Sequence, residues 1–136
     1  MKLTLPAAGA PALAVQAQAL LADSGIEATL DPTRGFDHGV FIPLKVAFPD
    51  ADIPTVQLAL RPDLDPAFHL ALGAALAPLR DEGVLIMGSG FVTHNLRLIE
   101  FGHGGPTDQR PGWSVEFDEW TTEAMTRGDV DAILDS

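Results

Sequence analysis

The stretch that decides the fold is Leu79-Arg80-Asp81-Glu82-Gly83-Val84-Leu85-Ile86-Met87-Gly88-Ser89-Gly90. Its first half closes a helix, and its second half changes character. Val84 to Met87 is a compact apolar run with glycine on both sides. Such a run suits a strand covered on both faces, the kind found in parallel sheets. Upstream, Asp65 is a good N-cap and Pro66 a good first helical residue. Phe68, Leu72, Leu76 and Leu79 then make one apolar stripe, which Gly83 terminates. The order is helix, glycine, buried strand.

The same order repeats outward from this stretch. Met1 to Ala10 is short, small-residue and reads as the tail of a preceding element. Pro11 opens a helix carrying Leu13, Ala17, Leu20 and Leu21 at helical spacing, with Gly25 as its C-terminal cap. Ile26 to Leu30 is a short strand candidate. Asp31-Pro32-Thr33-Arg34-Gly35 is loop chemistry. Gly39 to Phe48 reads as a short helix despite Pro43 inside it, and Pro49 to Asp52 as a turn. In Thr55 to Leu60 the residues Val56, Leu58 and Leu60 alternate with Thr55, Gln57 and Ala59, the period of a half-buried strand. Arg61-Pro62-Asp63 breaks it. Beyond the deciding stretch, Asn95 to Phe101 can form a short helix and Gly102 to Gly112 a loop. Trp113, Phe117, Trp120 and Ala124 make another helical stripe, with Glu116, Glu119 and Glu123 away from it. From Asp129 a final turn or helix is expected. Helices and strands alternate as α-β-α-β-α-β-α. The expected fold is therefore α/β: one domain over 1–136, a mostly parallel sheet flanked by helices and joined by right-handed crossovers.

Composition narrows the function classes. The 136 residues carry 46% hydrophobic and 20% charged side chains, with a net charge of -11. That charge would repel a duplex or an anionic membrane, so neither nucleic acid nor membrane is an expected partner. There is no cysteine, which excludes disulfides, thiolate nucleophiles and cysteine-ligated metals. No apolar run reaches the roughly 20 residues that cross a bilayer. The N-terminus lacks the basic and apolar regions of a signal peptide. The expectation is a soluble, cytoplasmic protein.

The four histidines are the main candidates for chemistry. His94 follows Met87-Gly88-Ser89-Gly90-Phe91-Val92-Thr93, just past the carboxyl end of the last expected strand. Open α/β sheets place their sites there, and two glycines let the backbone turn close to a ligand. His94 reads as a general base or metal ligand, or else as a cap for the helix near Asn95. His38, in Arg34-Gly35-Phe36-Asp37-His38-Gly39, also follows an expected strand. In a parallel sheet the two rings would project from one rim as an acid–base pair. Alone, His38 reads as a surface-loop residue. Asp37 adds negative charge beside it. His69 lies opposite the apolar stripe of its helix and reads as a solvated or packing side chain. Glu100 and His103 have Glu-x-x-His spacing, but in one copy only. Met87 stands where a Gly-x-Ser-x-Gly elbow needs glycine, so Ser89 is a poor nucleophile candidate. Phosphate-loop and dinucleotide fingerprints are absent from the sequence.

Several motifs together resemble one family. They are Arg34-Gly35-Phe36-Asp37-His38-Gly39, Pro43-Leu44, Phe48-Pro49-Asp50-Ala51-Asp52-Ile53-Pro54, Leu64-Asp65-Pro66, Leu79 to Ile86, Gly88-Ser89-Gly90 and Thr93-His94-Asn95-Leu96-Arg97. In this order they resemble the class III extradiol ring-cleavage dioxygenases, within them the 4,5-DOPA extradiol dioxygenase-like branch. The resemblance runs from about Pro6 to Trp120. It implies an incomplete version of that α/β fold, and cleavage of a small-molecule catechol beside its hydroxyls, with O₂ as co-substrate and a non-haem metal. Fe(II) is the implied metal, with zinc as an alternative occupant. By resemblance, His94 is the active-site base after the Gly-Ser-Gly turn and stands close enough to touch the metal. His38 is the second histidine, a proton donor or oxygen-orienting group. Ser89 and Gly90 belong to the substrate-binding turn. The family's main metal ligands lie in segments with no match here, whereas a non-haem iron site normally needs two histidines and a carboxylate. Two roles follow: a ring-opening oxidoreductase domain, or a truncated, non-catalytic remnant acting as a binding or interaction module. An incomplete sheet would expose an edge and an apolar face, so a homo-oligomer covering that face is expected.

Overall fold

Two helices near the start of the chain begin and end by the same devices, and together they make the core. In this computed structural model, residues 5–90 and 111–135 are described. They fall into two units, Met1–Ser89 and Gly90–Ser136. In the first, α1 (Pro11–Asp23) and α3 (Pro66–Leu76) each open on proline. Proline fits there because the first helical N–H has no helical partner in any case. Asp65 caps α3 as its sequence suggests, accepting from the Ala67 N–H at 3.0 Å. α3 runs on into a 3-10 turn, Ala77–Glu82.

Each helix then closes on a left-handed glycine, Gly25 at φ 74° and Gly83 at φ 81°. Gly25 N–H donates to the Ala22 carbonyl and Ile26 N–H to that of Leu21, both at 2.9 Å. Gly83 N–H and Val84 N–H make the matching bonds to Arg80 and Leu79, at 3.2 and 3.1 Å. This is the Schellman arrangement, which turns the residue after the glycine back toward the last helical turn. Its consequence is the core itself. Leu21, Ile26, Leu76 and Leu79 are buried together, and Val84, Leu13, Ala17, Leu20, Phe68 and Leu72 pack against them. Burying one such aliphatic side chain is worth roughly 1.5–3 kcal/mol.

Between these helices lies α2 (His38–Ala47), with Pro43 inside it as expected. Proline has no N–H for the Gly39 carbonyl and its ring crowds that oxygen, so the first turn of α2 is weakly tied to the rest. In the second unit, α4 (Gly112–Arg127) ends on Gly128 at φ 64°. The same two-bond closure follows, from Gly128 N–H to Met125 and from Asp129 N–H to Ala124. Asp129 then caps α5 (Val130–Leu134), accepting from the Ala132 N–H at 3.1 Å. Ala124 of the expected α4 stripe is buried, whereas Trp113 and Phe117 stay exposed. No helix among the described residues is long and apolar enough to cross a membrane.

The expected α/β fold, a mostly parallel sheet flanked by helices, is not what forms. Among the described residues there is no strand. Ile26–Leu30, Thr55–Leu60 and Val84–Met87 carry neither helix nor ladder. One parallel bridge joins Gly9 to Thr55, where the Thr55 N–H donates to the Ala8 carbonyl at 2.9 Å. The physical reason is pairing. Alternation and apolar content are properties of one segment, but a ladder needs a neighbour whose N–H and C=O groups face it. No ladder joins these segments among the described residues, and beyond Ile26 and Val84 their large apolar side chains are exposed: Leu60 is 68% and Leu85 69% exposed. Ala8 and Gly9, near the end of the first segment, thus hold Thr55.

Candidate functional site

His38 is the first residue of α2, and Asp37 is the helix N-cap position. Three things fix this corner. The Asp37 carbonyl accepts from Val40 N–H at 3.1 Å and from Phe41 N–H at 2.9 Å, forming the first turn. The His38 ring lies 4.8 Å from the Phe41 ring, tilted by 49°. Gln57, twenty residues away in sequence, grips Asp37 twice: its Oε1 accepts from the Asp37 N–H at 3.2 Å, and its Nε2 donates to Asp37 Oδ2 at 2.5 Å. Arg34 approaches the same carboxylate oxygen at 3.8 Å, a half-exposed pair of small energetic weight. His38 itself is exposed, so a molecule in solution can reach its ring.

The approach to this corner is shaped by a second local device. Asp31 Oδ1 accepts from the Thr33 hydroxyl at 2.8 Å, the Thr33 N–H at 2.9 Å and the Arg34 N–H at 3.1 Å. Donation by Thr33, hydroxyl first and backbone second, holds the Asp31 carboxyl below the usual carboxylate range. The loop expected at 31–35 is thus a knotted turn.

His69 has a structural task. Its Nδ1 lies 2.7 Å from the Asp65 carbonyl, and its Nε2 accepts from the Arg61 N–H at 3.2 Å. The ring therefore staples the 61–65 turn to α3, with the Nδ1–H tautomer inferred from this bonding. The Arg61 guanidinium lies 4.1 Å from the centre of the Phe68 ring and bonds the Asp63 carboxylate, which it holds below the ordinary carboxylate range. The packing reading of His69 holds, and the staple sharpens it. The i, i+4 spacing of Asp65 and His69 was its one sequence signal.

Ser89 and Gly90 are exposed at the end of the segment that follows Gly83. A side chain added at Gly88 or Gly90 would meet nothing within 4 Å. His94, His103 and Glu100 lie outside the described residues, as do the Asn95–Phe101 helix and most of the Gly102–Gly112 loop. Among the described residues, no group of three His, Asp or Glu side chains is placed to hold a metal ion. What sequence reasoning missed is Gln57. It was legible only as a polar member of an alternating segment, and nothing local tied it to Asp37.

Comparison with known proteins supplies the context. The sequence is 44% identical over 130 residues to a 4,5-DOPA dioxygenase extradiol of Beta vulgaris, covering 93% of this chain and 46% of that protein. It is 42% identical to the protein of the same name from Portulaca grandiflora, covering 90% and 44%. For the Escherichia coli protein of that name the identity is 44%, covering 89% and 43%. The chain thus spans less than half the length of these relatives. A family profile described as the catalytic LigB subunit of aromatic ring-opening dioxygenase matches residues 1–135, so the chain belongs to that family.

Proposed function

We propose that residues 1–136 form part of an extradiol ring-cleavage dioxygenase, with a small catechol as substrate and O₂ as co-substrate. The observation that supports this most is the family match over residues 1–135, together with relatives whose printed name is 4,5-DOPA dioxygenase extradiol. In this reading His94 removes a proton from a catechol hydroxyl. His38 returns one to the oxygen that develops as the ring opens. An imidazole can do either near neutral pH, which is why two of them serve as an acid–base pair. Ser89 and Gly90 form the open turn against which the ring rests.

The metal of the proposal is Fe(II), with zinc as an alternative occupant. It would supply binding of both catechol oxygens and of O₂. The described donors do not amount to such a site, because a non-haem iron centre normally takes two histidines and a carboxylate. No step is therefore drawn through the metal, and His94 is kept as base with a secondary place beside it. A homo-oligomer is proposed as well, since Leu58, Leu60, Leu85 and Ile86 leave apolar surface in water.

The test is turnover. The chain is incubated with Fe(II), O₂ and DOPA or caffeate, and the yellow ring-opened product is followed by absorbance. His38→Ala and His94→Ala should each lower the rate by about 100-fold or more, the usual weight of a general acid or base. A chain that binds both Fe(II) and catechol but never yellows would overturn the proposal in favour of a non-catalytic binding module.

A further inference from the structure

We propose that Gln57 is a positioning residue for His38, acting through Asp37. The inference rests on His38 being the proton donor of the proposed reaction, and it names what aims that ring. Aspartate is favoured before a helix because its carboxylate accepts from the N–H groups of the first turn. Asp37 occupies that position and makes no such bond. Its carboxylate turns outward to Gln57 Nε2, while its own N–H donates to Gln57 Oε1. Both ends of one amide are used on one residue, so the Gln57 side chain fits in a single orientation.

Fixing Asp37 fixes more than Asp37. Its carbonyl takes the N–H groups of Val40 and Phe41, and these bonds make the turn that begins with His38. On the far side Pro43 offers no N–H to the Gly39 carbonyl, so the rest of α2 holds this turn weakly. The His38 ring also packs on Phe41, whose own N–H hangs from Asp37. Gly39 leaves room for the arrangement, because a side-chain carbon there would stand 3.3 Å from Asp37 Oδ1. The clasp is itself anchored, since Thr55, two residues before Gln57, is bonded to Ala8. Both routes to the His38 ring, by backbone and by Phe41, pass through Asp37 and so through Gln57.

The experiment uses the full 136-residue chain and three variants. Q57E keeps size and removes the donor, setting one carboxylate against another. Q57N stays neutral but is one methylene too short. The double variant D37N/Q57E exchanges donor and acceptor and rebuilds the pair with reversed polarity. Amide hydrogen exchange and the ring signals of His38 are read by NMR. In Q57E and Q57N, exchange at Val40 and Phe41 should rise about tenfold, the weight of a hydrogen bond to a charged group. The His38 ring signals should shift, while α3 amides keep their protection. D37N/Q57E should restore all of these. Unchanged His38 signals, an equal loss of protection in α3, or failure of the double variant to restore them would overturn the proposal. Were Q57E to unfold, Q57N gives the same reading without the charge. Where turnover is measurable, Q57E should lower kcat with KM little changed. None of the NMR readouts needs metal or substrate. An inactive chain with an intact Gln57-to-His38 response would therefore sink the proposed function alone.

Discussion

Val84 and Leu85 are neighbours in one apolar run, yet the first packs on the core and the second stands 69% exposed. The same contrast separates Ile26, which is buried, from Leu30, which is not. In both places the inner residue is the one that a left-handed glycine turns back onto its helix. The outer residues depend on a partner strand. Each of these two helix ends is thus closed within about six residues of chain, the reach of a Schellman motif, and the two closed ends then meet as Leu21 and Ile26 pack with Leu76 and Leu79. The extended segments need backbone pairing across long sequence separation to become strands, and among the described residues that pairing amounts to one bridge.

Truncating a side chain on each side of this divide gives the largest effect. Leu21 is 1% exposed, and Leu21→Ala should cost about 2–5 kcal/mol, the range for emptying a packed leucine site. Leu85→Ala should fall within about 0.5 kcal/mol of the parent, as surface changes do. Urea midpoints measure both. A comparable loss at Leu85 would mean that the residue is covered in solution, and the contrast between the two regions would collapse.

A gentler test compares two glycines five residues apart in the sequence, Gly83 and Gly88. Neither has an atom within 4 Å of an added side-chain carbon, so space is not at issue at either. Gly83 alone has a left-handed φ. Gly83→Ala should therefore cost about 1–2 kcal/mol from backbone strain alone. Gly88→Ala should be neutral or stabilising by up to about 1 kcal/mol, through loss of unfolded-chain freedom. Thermal melts of equal cooperativity would decide it, and a harmless Gly83→Ala would remove the Schellman account of the core.

The sequence was most readable where structure is local. Pro11 and Pro66 open their helices, Asp65 caps one of them, and Gly25 and Gly83 close the helix ends as their chemistry predicts, because each serves groups within a turn of itself. The stripe Phe68, Leu72, Leu76 and Leu79 found the core for the same reason. The sheet was misread because Val56, Leu58 and Leu60 alternate whether or not anything lies beside them. Period reports what a segment could pair with, and pairing is decided elsewhere in the chain. At the candidate site, His38 was legible from its motif. The grip of Gln57 on Asp37 was not, since a bond across twenty residues leaves no local mark.

The smallest predicted effect separates two carboxylates along the same line. Asp31 is lowered first by the Thr33 hydroxyl, a neutral donor two residues away. Asp63 is lowered first by the hydrogen bond from the Arg61 guanidinium, a donor that also carries charge. For both, the folded carboxyl titrates below its unfolded counterpart. Their stabilisation is therefore complete above the unfolded value, roughly pH 4, and is lost as pH falls through the folded one. Thr33→Val should bring Asp31 back up toward the ordinary range and leave Asp63 where it is. Raising salt to about 1 M, where screening acts within roughly 3 Å, should weaken the depression at Asp63, whose main donor is charged, more than the one at Asp31, whose main donor is neutral. Carboxyl NMR titrations read both. Equal responses to salt would show that the nearby Arg34 charge, the smallest of the causes at Asp31, outweighs the three bonds to its one oxygen.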